Sequence, residues 1–309
     1  MMVQIGAALP SAGVGASADA LAGVAQAAER MGLGSVWTYE RLLRPTQPIP
    51  MGGAGGPVMS GPPEWADAYD PIETLAYVAA KTESIRLGTS VVAALLHGPV
   101  VLARRLATLD RLSGGRLMAG LGQGWMEQEF TAAGVPMARR GAGFEEHLEV
   151  MRAVWGPNPV RHDGRFYRVP ESEIGPKPVR PGGPSVLVGA ATPPAVDRAA
   201  RLGLGLCLVV FDWDALRGTV AAYRRTAEAA GHDVASLPLV VQVNGAVTGG
   251  GAVDERAPLT GAVEQVADDL IELDRLGADH VFWLMIDQDE QLDVLGRLGE
   301  AYAERSGGS

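Results

Sequence analysis

The segment WTYERLL, Trp37 to Leu43, sets a carboxylate beside a guanidinium at Glu40 and Arg41. A carboxylate takes or gives a proton, and a guanidinium grips an anion through its forked donors. Arginine stays protonated in proteins, so only Glu40 of the two can act as a base. The competing reading is a structural ion pair that fixes the loop. In LMAGLGQGWMEQEF, Leu117 to Phe130, Gly120, Gly122 and Gly124 alternate where a strand would carry bulk. Glycine is a weak strand former, and its common purpose there is to let another group approach the backbone. The glycines then admit a planar cofactor, with Trp125 walling the site and Gln128 hydrogen-bonding from the next turn, or they serve barrel packing alone.

Two further stretches carry chemistry. In GTSVVAALLHGPV, small Gly88, Thr89 and Ser90 give way to Val91 and Val92. A backbone distortion there could press a face of the chain against a flat ring, and His97 stands before the helix start at Pro99. In VGAATPPAVDRAA, the small residues Gly189, Ala190, Ala191 and Thr192 precede a helix that begins at Pro193 and Pro194. Free N–H groups at such a junction suit a phosphate, although the two prolines remove two donors. An ordinary capped loop is the alternative. Phe211/Asp212, Asn244/Gly245 and Ile286/Asp287 end three later strands; the aspartates serve equally well as helix N-caps.

These residues need a scaffold that gathers strand ends. Short apolar runs alternate with helical stripes through the whole chain: VQIGAAL, GSVWTY, RLGTSVVA, RLMAGLG, SVLVGA, GLCLVVF, LPLVVQVNGAV and HVFWLMI each precede a helix. Asp70 and Pro71 match an N-cap and a first helical position. Eight strand–helix units predict an α/β fold, a (β/α)8 barrel across 1–309, in which chemistry sits at the C-terminal strand ends. An open dinucleotide-binding sheet would want a G-x-G-x-x-G turn after its first strand, and none stands there. Two insertions are expected: a Pro/Gly-rich lid, Pro45 to Pro63, after strand two, and Val160 to Pro181 after helix four, where HDGR predicts a hairpin turn. The charge run ARRGAGFEEH, Ala138 to His147, predicts a solvated approach to a helix.

A net charge of -10 argues against a nucleic-acid partner. The single cysteine, Cys207, rules out an internal disulfide and fits a reducing, cytoplasmic setting; its place in an apolar run predicts a small buried side chain. No apolar run reaches membrane-spanning length, no signal-peptide pattern opens the chain, and the five histidines show no metal-ligand spacing.

Taken together, AAERMGLGSVWTYERLL, LATLDRLSGGRLMAGLGQGW, SVLVGAATPPAVDRAARLG and PLTGAVEQVADDL resemble the bacterial luciferase-like flavin/deazaflavin oxidoreductases. The second stretch is similar to the branch that uses coenzyme F420 rather than FMN. The resemblance implies a barrel enzyme that moves a hydride between the deazaflavin ring and a small organic substrate, in a homodimer. It implies a cis peptide at Ser90–Val91 backing the ring, Gly122 to Gln128 along the ring edge, and Gly189 to Thr192 holding the cofactor phosphate. The reacting end falls to Glu40, Arg41 and Trp125. Three departures stand out. Glu40-Arg41 replaces a common Asp-His, which weighs against a sugar-phosphate or secondary-alcohol dehydrogenase. His97-Gly98 replaces Arg-Asn, and Ala190 stands where a second glycine is usual. An FMN-dependent monooxygenase and a cofactor-binding barrel without turnover are the rival readings.

Overall fold

The computed structural model describes residues 2–50, 57–284 and 288–307. Eight parallel strands form the barrel: β1 (Gln4–Ala8), β2 (Ser35–Thr38), β3 (Arg86–Thr89), β4 (Leu117–Gly122), β5 (Ser185–Gly189), β6 (Gly205–Val209), β7 (Leu239–Val243) and β8 (His280–Trp283). Each pairs with its neighbours in chain order, and β8 returns to β1, so the sheet closes and has no free edge. The predicted (β/α)8 barrel is therefore the observed architecture. Strand seven is shorter than its apolar run suggests. Val247–Thr248 leaves the barrel and pairs in parallel with Gly261–Ala262 as a separate small sheet.

Among the described residues a helix of nine residues or more follows each strand: α1 (Ala18–Arg30), α2 (Pro71–Ala79), α3 (Pro99–Leu112), α4 (Ala142–Trp155), α5 (Pro193–Arg201), α6 (Trp213–Ala229), α7 (Val263–Arg275) and α8 (Gln288–Gly307), with a short helical turn at Glu127–Ala132 between β4 and α4. Local chemistry starts several of them. Ser17 accepts the Ala20 N–H at 3.1 Å, and Asp70 accepts the Ile72 N–H at 2.9 Å ahead of Pro71. Asp212 accepts the Ala215 N–H at 2.8 Å, which makes it the N-cap of α6.

The barrel interior is packed by inward-facing Trp37, Met118, Leu187, Cys207, Val240 and Phe282. Trp37 and Phe282 stack with centroids 4.6 Å apart and planes 8° from parallel. Gly88 is what admits the indole: a Cβ there would lie 2.2 Å from Trp37 Cε3. Cys207 is buried as expected, and burial pushes its thiol up to about 11. A larger apolar layer lies between barrel and helices, with Leu75, Leu102, Leu106, Val266 and Leu295 fully buried.

Both insertions are present. After β2, Ile49–Pro50 pairs antiparallel with Val58–Met59; residues 51–56 of the expected lid lie outside the described residues. After α4, Val160–Asp163 and Arg168–Ser172 form the antiparallel hairpin that HDGR predicts. The charge run at 138–147 differs from expectation. Glu146 is buried, accepting the Phe166 and Tyr167 N–H groups at 2.9 and 2.7 Å, and His147 is fully buried. Arg139 packs over the Phe166 ring and Glu145 pairs with Arg198, so the run ties α4 to the hairpin and to α5.

Candidate active site

The dipeptide Glu40-Arg41 leaves β2 at the C-terminal mouth, and its two charges turn to different partners. Glu40 Oε2 accepts the Ala93 N–H at 2.7 Å, and Oε1 lies 2.7 Å from His97 Nε2. Their side chains are 9% and 19% exposed, enough for a small ligand to reach the pair from the mouth. A carboxylate on Nε2 holds that nitrogen as the donor and leaves the Nδ1 lone pair for a proton. The His97 main chain is held as well: the buried His147 Nε2 lies 3.1 Å from the His97 carbonyl, to which it donates. Burial holds His147 down to about 4, so it remains neutral.

Arg41 binds Glu129 instead. Its Nη1 donates to both carboxylate oxygens at 3.2 Å, and Glu129, only 2% exposed, also accepts the Leu42 N–H at 3.0 Å. The guanidinium lies 4.5 Å from the Trp65 ring centre and 5.6 Å from that of Trp125. The two indoles meet edge to face at 6.4 Å and 68°. Arg41 thus fastens the β2 loop to the segment after β4, with Trp125 and Trp65 packed around it. Trp65 was not singled out by sequence: it sits on a short 3-10 turn, Pro63–Ala66, in a Pro/Gly-rich loop without period. Its signal there was being a tryptophan in a Pro/Gly-rich loop.

The Ser90–Val91 peptide is cis, as the resemblance implies. The Ser90 hydroxyl donates to Gln242 Oε1 at 2.6 Å and lies 3.2 Å from Cys207 Sγ, and Gln242 Nε2 donates to Asn244 Oδ1 at 2.8 Å. This polar chain anchors the bulge after β3. Gly120 and Gly122 pack against that bulge, as the barrel-packing alternative has it. A Cβ on Gly120 would lie 1.8 Å from the Thr89 carbonyl oxygen, and one on Gly122 would lie 2.6 Å from Val91 Cγ2. A Cβ on Gly189 would lie 3.1 Å from Val91 Cγ1. Gly124 has φ +76, and a Cβ on it would lie 2.8 Å from Phe130 Cε2. The bulge leaves Ser90 and Val91 half-buried at the mouth.

Gln128 Oε1 is buried and has no hydrogen-bond partner among the described residues, an acceptor that a ring N–H would satisfy. At α5 the Ala195 and Val196 N–H groups turn back to the Thr192 carbonyl, at 2.9 and 3.1 Å. The exposed Ala191 and Thr192 amides have no backbone acceptor among the described residues, and the Thr192 hydroxyl makes no cap. Small side chains at Gly189 and Ala190 keep that junction open, so it fits an anion carried by a cofactor tail. Among the described residues no cluster of His, Cys, Asp or Glu is arranged to hold a metal, and no helix is long and apolar enough to cross a membrane.

The pattern of the luciferase-like monooxygenase family matches residues 2–250. The FMNH2-dependent dimethylsulfone monooxygenase of Pseudomonas putida is 30% identical over 169 residues, covering 50% of this chain and 43% of that protein. The F420-dependent glucose-6-phosphate dehydrogenase of Kineococcus radiotolerans is 29% identical over 231 residues, covering 72% and 62%. Mycobacterial relatives are 45% identical over 122 residues, and the chain spans 43% of their length. The crystal structure of the monooxygenase RslO1 from Streptomyces bottropensis superposes with a TM-score of 0.81 at 24% identity, covering 98% of this chain and 100% of that one, a likeness of fold. With a match across well over half its length, and with the barrel and the strand-end site above, the chain belongs to the luciferase-like monooxygenase family.

Proposed function

We propose that this chain is a deazaflavin-dependent oxidoreductase that binds coenzyme F420 at the barrel mouth and exchanges a hydride between it and a small organic substrate. The observation that carries the reading is the 2.7 Å pairing of Glu40 with His97. The imidazole absent at position 41 is supplied by the loop after β3. When bound, the deazaflavin supplies the hydride chemistry, which leaves the proton to the protein. His97 Nδ1 takes the proton of a substrate hydroxyl as the carbon–oxygen bond becomes a carbonyl; in reverse, Nδ1–H returns it to the carbonyl oxygen. Glu40 stabilises the imidazolium that forms. Ser90 and Val91 would back the ring, Gly122, Gly124 and Gln128 would border it, and Gly189, Ala190, Ala191 and Thr192 would hold the phosphate.

A second reading, an FMN-dependent monooxygenase, is favoured by the likeness to the FMNH2-dependent monooxygenase of Pseudomonas putida. Titration of the purified chain with each cofactor separates the two. Quenching of deazaflavin fluorescence at micromolar concentration supports the first reading, and FMN binding alone with oxygen uptake on reduction selects the second. Deazaflavin binding without turnover of alcohols, imines or enones would make the protein a carrier.

A further inference from the structure

We infer that the wall of Trp65, Arg41 and Trp125 selects an uncharged substrate with a flat aromatic body rather than a phosphorylated or carboxylated one; this rests on the oxidoreductase reading above. Arg41 is the cation that would be expected to draw an anion to the mouth. Its charge is already met: Nη1 is held by both oxygens of Glu129, a carboxylate 2% exposed that will not leave. An incoming phosphate would compete with that buried carboxylate and would also face Glu40. The net charge of -10 adds repulsion at long range.

What the wall offers a ligand is aromatic surface. Trp65 and Trp125 are both half-buried, each presenting part of an indole beside the guanidinium that stiffens it. Edge-to-face and offset contacts with such rings favour another flat π system. The loops at the same end of the barrel carry large apolar side chains in water: Leu42 is 52% exposed, Val58 66% and Phe211 74%. Leu42 neighbours Arg41 in the chain, so apolar surface continues from the wall. Arg41 Nε is buried without an acceptor among the described residues, a donor that a neutral carbonyl or ether oxygen satisfies without bringing charge.

The test is calorimetric titration of the whole chain with acetophenone, benzoate and glucose 6-phosphate, each with and without saturating deazaflavin. Acetophenone is expected to bind about tenfold or more tighter than either anion, a difference of the size that one aromatic contact provides. Trp65→Leu is expected to lose that advantage while keeping the wild-type deazaflavin Kd. Trp65→Phe, which keeps a flat face and the fold, is expected to retain most of it. Benzoate or glucose 6-phosphate binding as tightly as acetophenone would overturn the inference. So would acetophenone binding that ignores Trp65→Leu, or, should that variant fail to fold, acetophenone binding no tighter than cyclohexyl methyl ketone, its saturated counterpart. Loss of deazaflavin binding with the aromatic preference intact would remove the cofactor reading and leave the wall standing.

Discussion

Val91 fills the space that a side chain on Gly122 would need: a Cβ there would lie 2.6 Å from Val91 Cγ2. The glycine and the valine are one device. The bare strand lets the bulge after β3 seat its side chain, and Val91 stays half-buried. Gly122→Ala is expected to fold and to push Val91 outward. Deazaflavin affinity, read by fluorescence titration, should then fall by about tenfold, the size of an overpacking shift of one to two kcal/mol. Unaltered affinity would show that Val91 does not support the ring.

Gly120→Ala meets a harder obstacle, since its Cβ would sit 1.8 Å from a backbone atom, the Thr89 carbonyl oxygen. A carbonyl in the barrel cannot swing aside as a methyl can. Urea denaturation should record a loss of about 3 kcal/mol, toward the upper end for overpacking. A loss under half of that would mean that β3 and β4 separate more easily than their register implies.

Glu40→Gln removes the charge that orients His97 and stabilises its protonated form. The expected fall in kcat is on the order of a hundredfold or more, with deazaflavin binding retained. His97→Asn should produce a loss of similar size, and the double variant little more than either alone, because two groups acting as a unit are not additive. Additive losses in steady-state kinetics would separate the pair.

Arg41→Met leaves Glu129 buried with the Leu42 N–H as its one remaining described partner. Stripping the cation from a buried pair is expected to cost about 3 kcal/mol, measured as a shift in urea midpoint. Arg41→Met combined with Glu129→Leu should recover most of that, since no charge is then left without a partner. No recovery would mean that the guanidinium stabilises chiefly by packing on Trp65 and Trp125.

Two histidines give the fold an acid limit. Burial holds both His147 and His280 down to about 4, with Arg86 adding to the effect at His280. Their unfolded value is about 6.5, so between pH 6.5 and 4 the unfolded chain binds the extra protons. Stability is complete above that window and declines as pH falls through it, by roughly 3 kcal/mol for each histidine. Urea midpoints across the window should show the decline, and His147→Gln should remove about half of it, His280 supplying the rest. A midpoint independent of pH there would contradict neutral burial of both rings.

The barrel was legible because its signals are local. Alternating apolar runs and helical stripes need only neighbours in the chain, and so do the Asp70-Pro71 helix start and the HDGR turn. The strand ends carrying Glu40, Ser90, Gly122 and Gly189 follow from the same pattern, since a closed parallel barrel brings all its C-terminal ends to one face. What the pattern does not contain is which side chain meets which. Glu40 and His97 are 57 residues apart, and Arg41 and Glu129 are 88 apart. Adjacent in the chain, Glu40 and Arg41 look like one another's partners; in space each has a better one.

The burial of Glu146 and His147 was hidden for the same reason, because a charge run looks solvated until the hairpin that covers it is in place. The purpose of the glycines was also beyond reach of the chain alone. A missing side chain shows that something approaches, and only the closed barrel shows that Val91 and the Thr89 carbonyl do. Sequence by itself determined the kinds of element, their order and the face where chemistry collects, because backbone preference and apolar period act over a few residues. Tertiary structure alone decided the pairings of charge and the filling of space, because these depend on distances between segments that only the closing of the sheet sets.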